Sequence, residues 1–174
     1  MIRSDRKSIS LEIGPEGLLV RAPRQATRAQ IEECIRRHQR WIDKHSVPAP
    51  APEERLGPEE IRKLANQALA VIPGRVAYFA PLVGVRYGRI TIRNQRSRWG
   101  SCSSQGNLNF NCLLMLAPSE VLDAVVVHEL CHRKHPNHSK AFYDEVLRVY
   151  PNYRACEKWL KEHGPSIMQR MISA

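Results

Sequence analysis

Residues 118–135 constrain this chain more than any other stretch. Pro118 opens a run in which Val121, Leu122, Val125, Val126 and Leu130 recur at helical spacing. A proline in the first turn and an apolar stripe of this density predict a strongly apolar helix reaching about His135, where Pro136-Asn137 breaks it. Inside that helix the chain reads His128-Glu129-Leu130-Cys131-His132, the pattern H-E-x-x-H.

The spacing has a geometric meaning. Four residues of α-helix advance about 400° and rise ~6 Å, so His128 and His132 stand one above the other on one face. Two imidazoles so placed can share one zinc ion at ~2.0–2.1 Å each. Glu129 lies about 100° round from His128, near enough to serve a metal-bound water without being a ligand. Zinc lowers the pKa of such a water toward ~7, and a carboxylate can then take its proton as general base. Two histidines on a surface turn are the ordinary alternative, and a match inside an apolar helix argues against it.

A catalytic zinc needs a third protein ligand and an open position. His138 is favoured, because it follows the helix break, where the chain can turn back. His135 lies where the helix frays and is assigned to the surroundings of the site or to the surface. Asp144 or Glu145 on the next predicted helix is the runner-up. Spacing alone leaves this choice open.

Ahead of this helix the pattern is mixed. Residues 7–13 and 17–21 flank Gly14-Pro15-Glu16-Gly17 and predict a β-hairpin. Thr27 is a plausible N-cap for a helix over 28–45. Four prolines in residues 47–58 predict an extended linker. A second helix is expected after Pro58, stopping near Pro73-Gly74. Alternation in Arg89–Asn94 and Asn107–Asn111 predicts two strands, with a polar loop over 95–104 between them. Further helices are expected around Phe142–Val149 and from about Asn152 to Gly164. The class is therefore α+β. The organisation reads as an N-terminal hairpin and helix (1–46), a Pro-rich linker (47–58) and a core (59–174).

The chain has 174 residues, 43% hydrophobic and 25% charged, which suits a domain with a buried core. Its longest apolar stretches, 112–117 and 124–127, are far short of the ~20 residues a membrane span needs. No export signal is expected from the opening residues, and the five scattered cysteines lack a C-x-x-C pair, so reduced thiols in the cytoplasm are expected. The net charge is +10, and residues 74–104 contribute six arginines with no acidic residue. Such a patch attracts anions, although no nucleic-acid-reading motif accompanies it.

Several motifs together resemble a known family. Arg98-Trp99-Gly100-Ser101-Cys102, Asn107-Leu108-Asn109, Val127–His132, Asn137-His138-Ser139 and Phe142-Tyr143 look like the YgjP-like metallopeptidase domain, also called DUF45. Arg6–Leu11, Val20–Pro23 and Trp41-Ile42 fit the N-terminal region of the same family, so the resemblance spans roughly residues 3–163. Tyr143 stands where members often carry tryptophan. The resemblance implies a zincin fold of gluzincin type, related to SprT-like and WLM zinc metalloproteases, with a small sheet beside the H-E-x-x-H helix. It also implies a zinc site of His128, His132 and His138 with Glu129 as catalytic base, and the Asn-His-Ser match strengthens the choice of His138.

The loop 98–102 precedes the active-site helix, where zincin-like enzymes place an edge strand beside the substrate. Arg98, Ser101 and Arg96, or backbone groups there, are candidates for binding substrate or an oxyanion. Trp99 reads as a core plug. The leading expectation is a zinc metallohydrolase acting on peptide or protein substrates. The alternatives are a metal-dependent nucleotide phosphohydrolase, in which Arg86, Arg93, Arg96 and Arg98 converge on the metal, and a basic nucleic-acid- or protein-binding module with structural zinc.

Overall fold

The computed structural model describes residues 1–14, 17–45 and 54–171, in two units, Met1–Glu54 and Arg55–Ala174. The expected linker over 47–58 falls largely outside the described residues. The α+β class holds, with two small sheets and a set of helices.

In the first unit, β2 (Ser10–Gly14) and β3 (Gly17–Pro23) form the expected antiparallel pair. A third strand, β1 (Ile2–Ser4), joins the other side of β3 in parallel, which the sequence reading did not foresee. Val20 and Ala22 of β3 bury against Ile31 of α1 (Arg28–Arg37). Thr27 caps α1 as expected, taking the Gln30 N–H while the Gln30 side chain takes the Thr27 N–H. The helix expected over 28–45 is interrupted. His38 donates both its backbone N–H and its ring Nδ1–H to the Cys34 carbonyl, closing α1, and α2 (Gln39–His45) starts afresh.

The second unit begins with α3 (Pro58–Val83), which runs on through Pro73 and Pro81 rather than stopping at Pro73-Gly74. A proline inside a helix costs about 3 kcal/mol. Here Ile72, Val76, Phe79, Ala80 and Val83 lie beyond the expected stop or beside it and are all buried. At ~1.5–3 kcal/mol for each large apolar side chain, their burial exceeds that cost. The helix ends at Gly84, which adopts the left-handed conformation.

The sheet of this unit has the order β4-β6-β5. Strand β4 (Ile90–Arg93) runs parallel to β6 (Leu108–Asn111), and β5 (Gly100–Cys102) runs antiparallel to it on the other side. Strand β5 falls inside the expected polar loop. Gly-Ser-Cys has weak strand preference, and its pairing with β6 makes the strand. The loop before β5 is pinned from below by Asn111, fully buried, whose Nδ2 donates to the carbonyls of Gln95 (2.6 Å) and Arg98 (3.1 Å).

Helix α4 (Ser119–Cys131) is buried along most of its length and packs against α3, β5 and α6. A paired Arg75–Asp123 contact, 2.6 Å at each of two nitrogens, ties it to α3. The helix stops at Cys131 with His132 as its cap, rather than at His135. Helix α5 (Lys140–Val149) starts from the Ser139 cap. Helix α6 (Tyr153–Gln169) passes through Pro165 instead of ending at Gly164, and buries Ile167 and Met168 beyond it.

Candidate metal centre

The end of α4 explains how the three histidines meet. Because the helix stops at Cys131, the turn that follows brings the His135 carbonyl back to the His132 ring, 3.1 Å from Nδ1. A carbonyl only accepts, so Nδ1 of His132 carries the proton and Nε2 is left with its lone pair. His135 thus acts through its backbone. The chain then breaks and returns at His138, just before α5.

His128, His132 and His138 each offer one nitrogen, and these lie within 4.8 Å of one another. The Nε2 atom of His128 is 3.1 Å from that of His132 and 3.0 Å from that of His138. Two nitrogens at ~2.0–2.1 Å from one tetrahedral zinc stand about 3.3 Å apart, so the separations suit a shared ion. On its other side, His128 Nδ1 meets the hydroxyl of Tyr153 at 2.8 Å. With the proton on Nδ1 donated to that oxygen, Nε2 of His128 also faces the cluster with a lone pair. Phe142 packs against all three rings, at 4.9, 4.6 and 4.9 Å between centroids for His128, His132 and His138.

Burial favours the neutral form of His128 and His132. It pushes His128 down to about 3, with His132 and His138 adding to the effect. His132 is lowered mainly by burial, against the opposing pull of the His135 carbonyl. Neutral imidazoles are the metal-binding form. The runner-up carboxylates are engaged elsewhere: Glu145 holds Lys134 and Arg148, and Asp144 pairs with Lys140.

Glu129 is 5% exposed, and its Oε2 has no hydrogen-bond partner. An orphaned buried carboxylate oxygen is costly, and it marks a place where a partner belongs. Burial raises its pKa to about 8, with the Arg98 charge pulling the other way. Gly100 of β5 lies directly against this carboxyl group.

The three candidate substrate residues are placed differently. Arg98 is exposed, and its charge is felt at Glu129. Arg96 is exposed. The Ser101 hydroxyl accepts from Asn109 across the sheet. Side chains alternate along a strand, so Ser101 points to the face opposite the one on which Gly100 meets Glu129. Its backbone pairs with β6, since residues 99 and 103 on either side do so through Asn111 N–H to Trp99 O and Ser103 N–H to Asn107 O. The groups left facing away from β6 are therefore the N–H and C=O of Gly100 and Cys102. Trp99 packs on the core as expected, close enough to α6 that a Cβ at Gly164 would stand 3.2 Å from its ring. Tyr153 and Phe142 had no metal-site role in the sequence reading, because a partner 25 residues from His128 carries no spacing signal.

Residues 45–163 match the family described as YgjP-like, metallopeptidase domain. The chain belongs to the YgjP-like metallopeptidase family. Two solved structures are similar to this YgjP-like chain. One is the metallopeptidase zymogen of Pyrococcus abyssi abylysin, 19% identical, covering 53% of this chain and 94% of that one, with a TM-score of 0.48. The other is the metallopeptidase zymogen of Methanocaldococcus jannaschii jannalysin, 23% identical, covering 52% and 94%, with a TM-score of 0.46. No curated protein matches the chain significantly. Among the described residues no helix is long and apolar enough to cross a membrane.

Proposed function

We propose that this chain is a zinc-dependent peptidase in which His128, His132 and His138 hold the metal and Glu129 is the general base. The observation that carries the reading is the convergence of three Nε2 atoms beside a buried carboxylate with an unpartnered oxygen. Bound there, zinc would supply Lewis acidity toward the scissile carbonyl and acidify the attacking water. Glu129 takes the proton from that water and delivers it to the leaving nitrogen as the C–N bond breaks. The outward N–H and C=O groups of Gly100 and Cys102 hold the substrate extended, as an added strand. Arg98, exposed and near enough for its charge to act on Glu129, is the side chain we assign to substrate binding.

The phosphohydrolase alternative requires arginines around the metal. Among the described residues no arginine lines the cavity beside His128 and Glu129, and Arg86, Arg93, Arg96 and Arg98 are all exposed. A structural zinc would be closed by a fourth protein ligand and would leave Glu129 without a task. Five free thiols favour a reducing compartment, and we place the protein in the cytoplasm.

The test is hydrolysis of an unstructured protein substrate by zinc-loaded protein beside Glu129→Gln. Cleavage that falls by about 10²–10⁴-fold in the variant while zinc is retained supports the assignment. Equal cleavage by both removes Glu129 from the mechanism.

A further inference from the structure

Strands β1 and β2 pair with opposite edges of β3, and both meet it near the same end: Ser4 stands beside Pro23 and Ser10 beside Arg21. The connection, residues 5–9, therefore crosses the end of β3 and brings Arg6, Lys7 and Ser8 to the bend that leads into α1. A cavity of about 690 Å³ opens there, and all of its lining lies in the first unit. Arg6, Lys7 and Ser8 share it with the amides of Gln25 and Gln30, while Ile9, Pro23 and Ala26 supply its apolar part.

The Nε atom of Arg6 is buried without a hydrogen-bond partner. A charged donor left so is costly, and it marks the place of a missing acceptor. No carboxylate of the chain fills that place, because no acidic residue lines the cavity. Within residues 1–45 the described carboxylates are engaged by other side chains: Asp5 by Arg24, Glu12 by Arg21, Glu32 by Arg28, Glu33 by Arg36 and Arg37, and Asp43 by Gln39. Helix α1 starts at the same bend with no acidic residue in its first turn, so its positive end adds to the field.

We propose that this cavity binds the phosphate group of a small phosphate monoester. A guanidinium fork, an ammonium and a hydroxyl together suit a tetrahedral oxyanion. A monoester carries a charge of about −1.5 to −2 at pH 7, which matches the pair Arg6 and Lys7. Ile9, Pro23 and Ala26 pack against its organic part, for which the volume leaves room. A phosphodiester chain fits less well. It needs a track of free cations, and Arg21, Arg24 and Arg28 are already neutralised by carboxylates. The lining offers no histidine, cysteine or carboxylate to activate Ser8 or to hold a metal, so the site binds its ligand and does not hydrolyse it. The inference goes beyond the peptidase reading and does not depend on it.

The experiment titrates the zinc-loaded full-length protein by calorimetry with phenyl phosphate, with its monoanionic ester methyl phenyl phosphate, and with a short oligothymidylate. The variants are Lys7→Ala, at an exposed loop position, and Arg6→Lys, which keeps the charge and removes the fork. Arg93→Ala is the control for the arginine-rich segment 74–104. Amide NMR spectra of the wild type locate the bound ligand without any substitution. Phenyl phosphate is expected to bind about tenfold or more tightly than its methyl ester, and about tenfold less tightly in each loop variant. Arg93→Ala should bind as the wild type does, and the shifted amides should centre on residues 6–8 and 25–30. A phosphate held by the zinc ion instead would ignore both loop variants, and that result overturns the proposal. Equal affinity for monoester and methyl ester, tighter binding of the oligothymidylate, or no heat and no shifted amide overturns it as well.

Discussion

Gly100 and Glu129 are packed so closely that a methyl group at position 100 would stand 2.6 Å from Oε1 and 2.9 Å from Cδ of the carboxyl group. Real Cβ atoms do not approach so near, and a side chain that is 5% exposed has little room to withdraw. Gly100→Ala should therefore displace the carboxylate while leaving the three imidazoles in place. The expected result is peptide hydrolysis reduced by about 10²-fold at unchanged zinc content, since a base displaced by ~1 Å loses catalysis on this scale. Zinc content and hydrolysis measured on the same preparation check it, and full activity would show that Glu129 is not positioned by β5.

The Tyr153 hydroxyl orients His128 by holding Nδ1 at 2.8 Å. Tyr153→Phe keeps the ring that packs there and removes the oxygen alone. Zinc affinity is expected to fall by about 10–100-fold. A competition titration against a chromogenic chelator reads this directly.

Asn111 bonds two carbonyls of the loop ahead of β5 and accepts the Leu113 N–H. Asn111→Leu strands these buried groups, at about 1–3 kcal/mol for each one left unsatisfied. A loss of roughly 2–4 kcal/mol in urea unfolding is expected. A change below about 0.5 kcal/mol would mean that the loop is held by something else.

Glu145 titrates low. Arg148 first, and then Lys134, hold its carboxyl down at about 2, below the ordinary 4.5. A folded-state pKa below the unfolded value contributes stability that is complete above about 4.5 and is lost as pH falls toward about 2. Glu145→Gln should thus be less stable than the wild type at pH 6, and the gap should close between pH 4.5 and pH 2. Unfolding curves at three pH values measure it, and a gap that persists at pH 2 contradicts the pairing.

The convergence of His128, His132 and His138 was legible in the sequence because the helix places residues four apart on one face, and because the chain turns at Pro136 before His138. The second tier was not. Tyr153 and Phe142 reach the histidines only through the packing of α6 and α5 on α4, which no local spacing encodes. Strand β5 was hidden for a related reason: Gly100, Ser101 and Cys102 take strand geometry from β6, not from their own preferences. The helices that outran their expected ends, through Pro73 and Pro165, did so because buried side chains lie beyond each proline. Ser101 illustrates the limit of residue type as a guide, since its hydroxyl accepts from Asn109 on the face opposite Glu129, which sequence alone does not reveal.

The most direct test of the account is zinc stoichiometry by elemental analysis of the wild type, His128→Ala, His132→Ala, His138→Ala and His135→Ala. About one zinc per chain is expected in the wild type, with loss in the first three variants and retention in His135→Ala, whose backbone carbonyl survives. Zinc retained in His138→Ala, or lost in His135→Ala, would contradict the three-histidine centre.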